Sequence, residues 1–134
     1  MKRFVLPLLA AFTLAAAGPD ALAQAAQAVP AAKTATWVAR DFRFHTGETM
    51  PALTIAYRTV GDPSGEPVLL LHGTAGNGGN FMTPAFGGEM FGPGQPLDAT
   101  RYFIILPDAL GTGKSTRPSS SGLRMKFPKY NSDD

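Results

Sequence analysis

The residues with the clearest chemical potential are His72, Gly73 and Thr74, which follow an unbroken aliphatic run over residues 68–71. Such a run before a glycine-rich loop predicts a strand buried on both faces, as in the middle of a parallel sheet. The carboxyl end of such a strand is where an open α/β sheet places its ligand. Gly73 would let the backbone approach a substrate closely enough to point an N–H group at its oxygen. We therefore predict that the Thr74 N–H is one donor of an oxyanion site.

The alternative for these residues is an ordinary turn that ends the strand. In that interpretation His72 is a structural histidine whose hydrogen bonds are satisfied, because a His-Gly pair alone is weak evidence of a site. A second strand with its own glycine loop shifts the balance toward a site. In the functional interpretation, His72 and Gly73 shape the loop that presents Thr74.

The second glycine loop, Gly111 to Thr116, resembles the end of a phosphate-binding loop with the pattern Gly-x-x-x-x-Gly-Lys-Ser. That pattern requires a glycine at position 108, where this chain has Asp108. A carboxylate at that place repels phosphate and fills the space that phosphate needs. A nucleotide-binding module is therefore the lesser alternative to a tight turn in which Ser115 or Thr116 caps the following segment.

No serine nucleophile is identified in the sequence. The expected pentapeptide Gly-x-Ser-x-Gly is absent, since the stretch that begins at Gly113 ends in Arg117. Ser115, His72 and Asp108 can be drawn as an improvised triad, but nothing in the sequence fixes this serine against the imidazole. No group of histidine and carboxylate residues has the spacing of metal ligands, so neither a metal nor another cofactor is expected.

Two strands of alternating hydrophobicity are predicted ahead of these loops, over residues 37–44 and 53–60. A turn at 45–48 separates them, so we expect an antiparallel hairpin at one edge of a sheet. In the first strand, strict alternation places Phe44 on the face opposite to Ala39.

The two aliphatic strands, 68–71 and 101–106, are separated by the length of a crossover unit, which predicts that they lie parallel. Both glycine loops are then expected at the same rim of the sheet. The glycine density over 73–94 argues against a long helix there, although a short helical piece is predicted around residues 81–86, where Pro84 limits it. The predicted fold class is α/β, with an antiparallel hairpin leading into a mainly parallel sheet.

The composition excludes several classes of function. The 134 residues are 44% hydrophobic and 16% charged, which is typical of one globular domain. A net charge of +2 argues against nucleic acid as the main partner, and the basic run from Lys114 to Lys129 is interpreted as a solvated loop. Without cysteine the chain has no disulfide, thiolate metal site or cysteine nucleophile.

The N-terminus has the pattern of a secretion signal. A positive pair, an apolar run and a small-x-small sequence follow one another at residues 2–3, 4–17 and 21–23. The apolar run is short for a membrane span, which needs about 20 residues, so we expect an exported product, periplasmic or secreted, without a stable span. An uncleaved anchor or an ordinary N-terminal helix is the alternative. The predicted parts are a signal peptide over 1–23, a flexible leader over 24–36 and a folded part over 37–134.

Three segments carry a family resemblance: His72-Gly73-Thr74, then Gly92-Pro93-Gly94-x-x-Leu97-Asp98-x-x-Arg101-Tyr102-Phe103, then Leu110-Gly111-x-Gly113-Lys114-Ser115-x-x-Pro118-Ser119. Together they are similar to the homoserine O-acetyltransferase-like branch of the α/β-hydrolase superfamily. The middle segment is the specific one, because His-Gly occurs in many α/β hydrolases. The likeness covers residues 37–134.

The resemblance implies the N-terminal part of an α/β-hydrolase fold. It also implies a serine-dependent enzyme that hydrolyses an ester or transfers an acyl group through an acyl-enzyme, with the Thr74 N–H as one oxyanion donor. In this family the nucleophile elbow, the aspartate and the histidine come after the matched segment, so no triad residue is carried over. We therefore expect an incomplete fold that is inactive alone.

The implied partner is a small-molecule acyl ester or acyl donor. Export favours a hydrolase over a biosynthetic transferase that acts on homoserine in the cytoplasm. The main alternative is a non-catalytic secreted binding domain that is complete as it stands. An incomplete sheet would expose apolar faces and an open edge, from which we expect low stability or aggregation.

Overall fold

A computed structural model describes residues 28–134, and its framework is one four-stranded sheet. The strands are β1 (Lys33–Arg43), β2 (Thr49–Val60), β3 (Glu66–Leu69) and β4 (Tyr102–Pro107). They lie in the order β1-β2-β4-β3, with β2 antiparallel to β1 and to β4, and β3 parallel to β4. The predicted hairpin leading into a parallel pair is confirmed. The predicted signal peptide lies outside the described residues.

The hairpin of β1 and β2 closes at the predicted turn. The Phe44 N–H donates to the Glu48 carbonyl at 2.9 Å, and the Gly47 N–H donates to the Phe44 carbonyl at 2.8 Å. Pairing runs without a register shift from Arg43 opposite Thr49 to Lys33 opposite Thr59. Residues 33–36, which composition assigned to the flexible leader, therefore belong to β1, because β2 is long enough to pair with them.

One residue breaks the alternation expected along β1. Asp41 has a φ of 50°, in the left-handed region, and it lies beside Pro51, which has no N–H to pair. The twist at this point brings Ala39 and Phe44 into the same hydrophobic cluster, which also contains Leu53. The prediction that Ala39 and Phe44 lie on opposite faces is therefore wrong.

One face of the sheet, here called the covered face, packs on the segment between β3 and β4. Val60, Ile104 and Leu106 from the strands enclose Phe91, and all four are almost completely buried. Phe91 also makes an edge-to-face contact with the Phe86 ring, with centroids 5.9 Å apart. This cluster is the larger core and holds the loop that follows β3 against the sheet.

The crossover segment contains two short helical turns, a 3₁₀ turn at Gly78–Phe81 and α1 at Gly87–Met90. The helical piece predicted at residues 81–86 is wrong, because the first turn starts earlier. Asn77 caps it by accepting from the Gly79 N–H at 2.8 Å. A further 3₁₀ turn lies at Arg124–Lys126. None of the helices within residues 28–134 has the length and hydropathy needed to cross a bilayer.

The segment that carries the specific family resemblance builds the entry to β4. The Asp98 carboxylate accepts from the Gly94 N–H at 2.7 Å, the Thr100 N–H at 2.8 Å and the Thr100 hydroxyl at 2.7 Å. Gln95 bonds backward to the Gly88 carbonyl at 2.7 Å. Two backbone bonds to the Asp98 carbonyl, from Arg101 and Tyr102, then lead into the strand. This segment is scaffold, and it fixes where β4 begins.

The opposite face, here called the open face, is only partly covered. Near the hairpin turn, Phe127 and Leu110 pack on Phe44 and Leu53. The rest forms a shallow apolar groove lined by Trp37, Ile55, Tyr57, Thr59, Phe103, Ile105 and Pro107. The expected exposure of an apolar face is confirmed for the described residues.

β3 lies at the edge of the described sheet. Leu69 is 58% exposed and Leu71 is 70% exposed, so the prediction of a strand buried on both faces is wrong within residues 28–134. The aliphatic run has the composition of an inner strand, but β4 is the one strand there that pairs with β3. Its second edge carries unpaired backbone groups in this part of the chain.

Gly78 provides a test of how closely the crossover segment approaches β4. A Cβ at residue 78 would lie 2.3 Å from the Leu106 carbonyl oxygen, whereas a Cβ at Gly73 would meet nothing within 4 Å. We expect Gly78→Ala to lower the free energy of unfolding by about 1–3 kcal/mol, as overpacking does. Gly73→Ala, the matched control, is expected to be neutral or slightly stabilising. Urea denaturation of both variants is the measurement, and equal midpoints would contradict the close approach.

Candidate functional site

The two glycine loops meet at the carboxyl ends of β3 and β4, as predicted. Beyond the last residue of β3, the Leu70 N–H still donates to the Ile105 carbonyl at 3.0 Å. The two chains then diverge, and the His72 ring fills the gap by accepting a hydrogen bond from the Ala109 N–H at 2.9 Å. The rim therefore consists of two loops joined by one imidazole.

Thr74 lies in a tight turn at this rim. The Gly76 N–H donates to the Gly73 carbonyl at 3.0 Å, and Ala75 takes the third position of the turn with a φ of 61°. Thr74 is exposed, and its N–H donates no hydrogen bond to any group within residues 28–134. A free backbone donor at the end of a parallel strand is what the predicted oxyanion role requires.

His72 is a structural histidine within the described residues. Its Nδ1 lies 2.8 Å from the Gly73 carbonyl oxygen, and its Nε2 faces the Ala109 N–H and, at 3.2 Å, the Thr112 hydroxyl. Both ring nitrogens are therefore occupied. The alternative of a structural histidine with satisfied hydrogen bonds describes His72 correctly. It is compatible with a loop that presents Thr74, because the ring is bonded to the Gly73 carbonyl of that loop.

Asp108 is the most connected side chain of the rim, and it is 1% exposed. It accepts from the Gly78 N–H at 2.9 Å, the Arg58 guanidinium at 3.0 Å and the Lys114 N–H at 2.8 Å. Burial opposes ionisation of this carboxyl, but the bonds from Lys114, Gly78 and Arg58 outweigh burial and hold its pKa below the ordinary value. A Cβ at Gly113 would lie 2.0 Å from the carboxylate, so only glycine fits there.

The same geometry removes the nucleotide-binding alternative. The N–H group of Lys114, which a phosphate-binding loop would turn toward its anion, is directed at the Asp108 carboxylate. The Asp108 carboxylate thus takes the place that a phosphate would need. Within the described residues, the loop from Gly111 to Thr116 has no group of unpaired N–H donors that could bind an anion.

Ser115 is buried and does not act with His72. Its hydroxyl donates to the Asp108 carbonyl at 2.5 Å and accepts from the Ala56 N–H at 2.9 Å. The improvised triad is not assembled, which agrees with the absence of any feature fixing this serine against the imidazole. The expected capping role is wrong as well, since the Thr116 hydroxyl accepts from the Thr54 N–H in β2 at 2.8 Å. Both hydroxyls extend the sheet instead of starting a helix.

A cleft of about 440 Å³ opens beside His72 on the open face. Leu71 and Leu110 form apolar walls, and the far wall is Tyr130 and Asp134 from the last residues of the chain. His45 binds Asp134 through its backbone N–H and its Nδ1, both at 2.7 Å. Burial opposes ionisation of Asp134, but the His45 bonds outweigh it and lower its pKa. Sequence reasoning missed this wall, because nothing local pairs a turn histidine with a residue 89 positions away.

Arg58 is the other participant that the sequence analysis missed. It lies on the covered face of β2 between Ala56 and Val60, both buried. A guanidinium between two buried apolar positions signals a buried anionic partner, and that signal could have pointed to Asp108. Within residues 28–134 no group of three or more histidine or acidic side chains could hold a metal ion.

Comparison with known proteins gives acyltransferases and ester hydrolases. No family model matches the chain. It is 30% identical over 111 residues to a homoserine O-acetyltransferase of Deferribacter desulfuricans, covering 70% of this chain and 29% of the relative. It is 32% identical over 107 residues to a serine O-succinyltransferase of Litchfieldella anticariensis, covering 69% and 29%. A solved acetylester hydrolase from Corynebacterium glutamicum matches with a TM-score of 0.59 at 21% identity, covering 73% of this chain and 29% of that one.

The strand order and the likeness to solved structures define the described sheet as part of an α/β-hydrolase fold. Within that class, the chain belongs to the homoserine O-acetyltransferase-like branch, to which its sequence relatives assign it. The resemblance stated from the sequence motifs is confirmed. The chain spans about three tenths of the length of the curated relatives it matches.

The Asp108 carboxylate makes stability depend on pH with a defined sign. Its pKa is lower in the folded chain than the unfolded value of about 3.9. Its contribution is therefore complete above that value and is lost as pH falls through the lowered pKa of the folded state. We expect Asp108→Asn to cost about 1.5–3 kcal/mol at neutral pH, since it disrupts bonds to a charged acceptor.

The measurement is urea denaturation of both proteins at neutral pH and at about pH 3. The difference between wild type and Asp108→Asn is expected to shrink in acid. Asp133→Asn is the control, because Asp133 is an exposed aspartate whose carboxylate accepts no hydrogen bond within residues 28–134. A stability difference at Asp108 that does not change with pH would contradict the assignment.

Proposed function

We propose that this chain provides the oxyanion half of an acyl-transfer or ester-hydrolysis site. The observation that carries the proposal is the N–H of the exposed residue Thr74, which donates no hydrogen bond within residues 28–134 and follows the carboxyl end of a parallel strand. The relatives support it, because a homoserine O-acetyltransferase and a serine O-succinyltransferase both move an acyl group. The substrate class is a small-molecule acyl ester or acyl donor.

In the proposed mechanism a serine attacks an acyl carbonyl, and the negative charge that develops on the carbonyl oxygen is held partly by the Thr74 N–H. Collapse of this intermediate expels the alcohol or thiol of the acyl donor and leaves an acyl-enzyme, whose acyl group then passes to water or to an acceptor hydroxyl as the serine is regenerated. The strong support of the turn by His72 keeps the donor in place before the charge forms, which is the condition for electrostatic stabilisation. Ser115 is not the nucleophile, because its hydroxyl is buried between Asp108 and Ala56.

The magnitudes indicate that the oxyanion half alone is not a catalyst. One oxyanion donor contributes roughly 2.7–4 kcal/mol to the transition state. Loss of a triad nucleophile costs on the order of a million-fold in rate. We therefore propose that the 134-residue polypeptide by itself has no measurable esterase activity and that the nucleophile, the aspartate and the catalytic histidine are supplied outside these residues.

Export and ester hydrolysis are proposed together. The N-terminal pattern at residues 2–23 supports secretion or periplasmic export. An exported enzyme acts away from cytoplasmic amino-acid synthesis, which favours water over an amino-acid hydroxyl as the acceptor.

The role of the Thr74 N–H can be tested by deleting that N–H alone. Thr74 occupies the second position of its turn, where proline is well tolerated. In the polypeptide encoded by the complete reading frame, we expect Thr74→Pro to lower kcat for p-nitrophenyl acetate by roughly 10²–10³-fold. Thr74→Ala, which keeps the N–H, is expected to retain activity. Equal activity in the two variants would overturn the assignment.

The absence of activity in the shorter chain is a separate prediction. The 134-residue polypeptide is expected to release no p-nitrophenol above the level of its Ser115→Ala variant, since Ser115 is not accessible. A fluorophosphonate probe should label a serine outside these residues in the longer polypeptide. Turnover by the short chain that Ser115→Ala abolishes would contradict the proposal, and a longer product without a labelled serine would support a binding domain instead.

The export proposal is tested by N-terminal sequencing of the protein recovered from the periplasm or medium. We expect the mature chain to begin at Gln24, because cleavage should follow Ala23. Replacing Ala23 by a bulky residue should leave a longer precursor in the membrane fraction. A cytoplasmic protein that still begins at Met1 would contradict export.

A further inference from the structure

The two hydrogen bonds of the His72 ring define its protonation state. Nδ1 faces the Gly73 carbonyl oxygen at 2.8 Å, an atom that only accepts, so Nδ1 carries the hydrogen. Nε2 faces the Ala109 N–H at 2.9 Å, a group that only donates, so Nε2 presents its lone pair. The arrangement is complete only for the neutral ring in its Nδ1–H tautomer.

A second proton on the ring would break this arrangement at a specific place. Nε2 would then carry a hydrogen directed at the Ala109 N–H, and that bond would be lost. Thr112 offers the alternative, because its hydroxyl donates to the Ala109 carbonyl at 2.9 Å and its oxygen lies 3.2 Å from Nε2. The protonated ring therefore exchanges a backbone partner on the second loop for a side-chain partner on the same loop.

The ring is coupled directly to the turn that holds Thr74. The Gly73 carbonyl accepts both the Nδ1–H of His72 and the Gly76 N–H that closes the turn. A Cβ at Gly76 would lie 3.2 Å from Nδ1, so the turn rests against the imidazole. Any displacement of the ring is passed to the two ends of the turn, between which the Thr74 N–H is exposed.

The charged groups around the ring are few. The loop over 109–112 and the turn over 73–76 carry no titratable side chain. Tyr130 and Asp134 face the same cleft from the chain end, and Asp134 is already bonded to His45. The Asp108 carboxylate is directed away, toward Gly78, Lys114 and Arg58.

We propose that His72 is a positioning residue that holds the Thr74 turn only as the neutral Nδ1–H tautomer, so that protonation releases Ala109 and loosens the turn. The proposal goes beyond the supporting role already given to His72, because it makes the position of the Thr74 N–H depend on whether the imidazole is protonated. It rests on the proposed function only for the role given to the Thr74 N–H. The link between the ring and the turn stands without it.

The test uses the 134-residue chain with His45→Asn, which leaves His72 as the only histidine. NMR of the ¹⁵N-labelled protein identifies the tautomer from the ring nitrogen shifts, and the pH is lowered from about 8 to about 5, the range in which imidazole ordinarily titrates. We expect the Nδ1–H tautomer at high pH. As the ring takes up its proton, the hydrogen-exchange protection factor of the Ala109 amide should fall roughly five- to tenfold. The amide resonances of Thr74 and Gly76 should shift together with those of the His72 ring.

Two variants separate positioning from general stability. Thr112→Val removes the alternative partner of the protonated ring, so the loss of Ala109 protection on protonation is expected to be larger. His72→Gln supplies an amide oxygen for the Ala109 N–H that does not titrate, and it should keep Ala109 protected at all pH values tested. An Nε2–H tautomer, or an Ala109 amide indifferent to the His72 titration, would overturn the proposal even if both variants failed to fold.

Failure of this inference is distinguishable from failure of the proposed function. If the ring behaves as expected while Thr74→Pro leaves catalysis unchanged, the positioning device exists but the oxyanion role does not. If the Nε2–H tautomer is found while Thr74→Pro abolishes activity, the oxyanion role stands and the His72 inference is wrong.

Discussion

The structure depends on one buried carboxylate. Asp108 is the first residue after β4, and its two oxygens bind Arg58 of β2, the Gly78 N–H of the loop after β3 and the Lys114 N–H of the loop after β4. These partners come from three parts of the chain, which the carboxylate joins at one point. A buried anion is costly unless every oxygen is satisfied, so the three donors and the carboxylate require one another. The rim of the sheet is therefore set by electrostatics at its base and by His72 at its edge.

The two faces of the sheet differ because the segment between β3 and β4 covers only one of them. The aromatic cluster around Phe91 seals the covered face and holds the loop after β3 at a fixed height above β4. Among residues 28–134, the open face is covered only by Phe127 and Leu110 near the hairpin turn, and the apolar groove lies beside them. In a parallel sheet both faces normally carry helices. The described part of the fold is consequently covered on the side that orients the rim and partly open on the other.

The elements that follow from local pattern were predictable, and those that depend on distant partners were not. Alternation and a turn sequence were enough to identify the hairpin, and two aliphatic runs at crossover spacing were enough for the parallel pair. The prediction of which β1 residues share a face was wrong because Asp41 has a left-handed backbone, whereas alternation assumes a continuous extended strand. The prediction that β3 is buried was wrong for a different reason. An aliphatic composition indicates that a strand suits apolar neighbours on both faces, but it does not indicate which elements pack against it. The bond between His45 and Asp134 joins chain positions too distant for any local rule.

The same distinction explains why the candidate site was only half accessible to prediction. His72, Asp108 and Ser115 attracted attention as reactive types, yet each has its hydrogen bonds taken up by neighbouring backbone groups. A side chain so engaged cannot attack, abstract a proton or bind phosphate without dismantling the rim. The Thr74 N–H is one of the rim groups that donate no hydrogen bond within residues 28–134, and the turn that carries it is bonded to the His72 ring. In the proposed function these side chains support the rim, and the Thr74 N–H is the donor that an acyl-transfer site would take from the loop after β3.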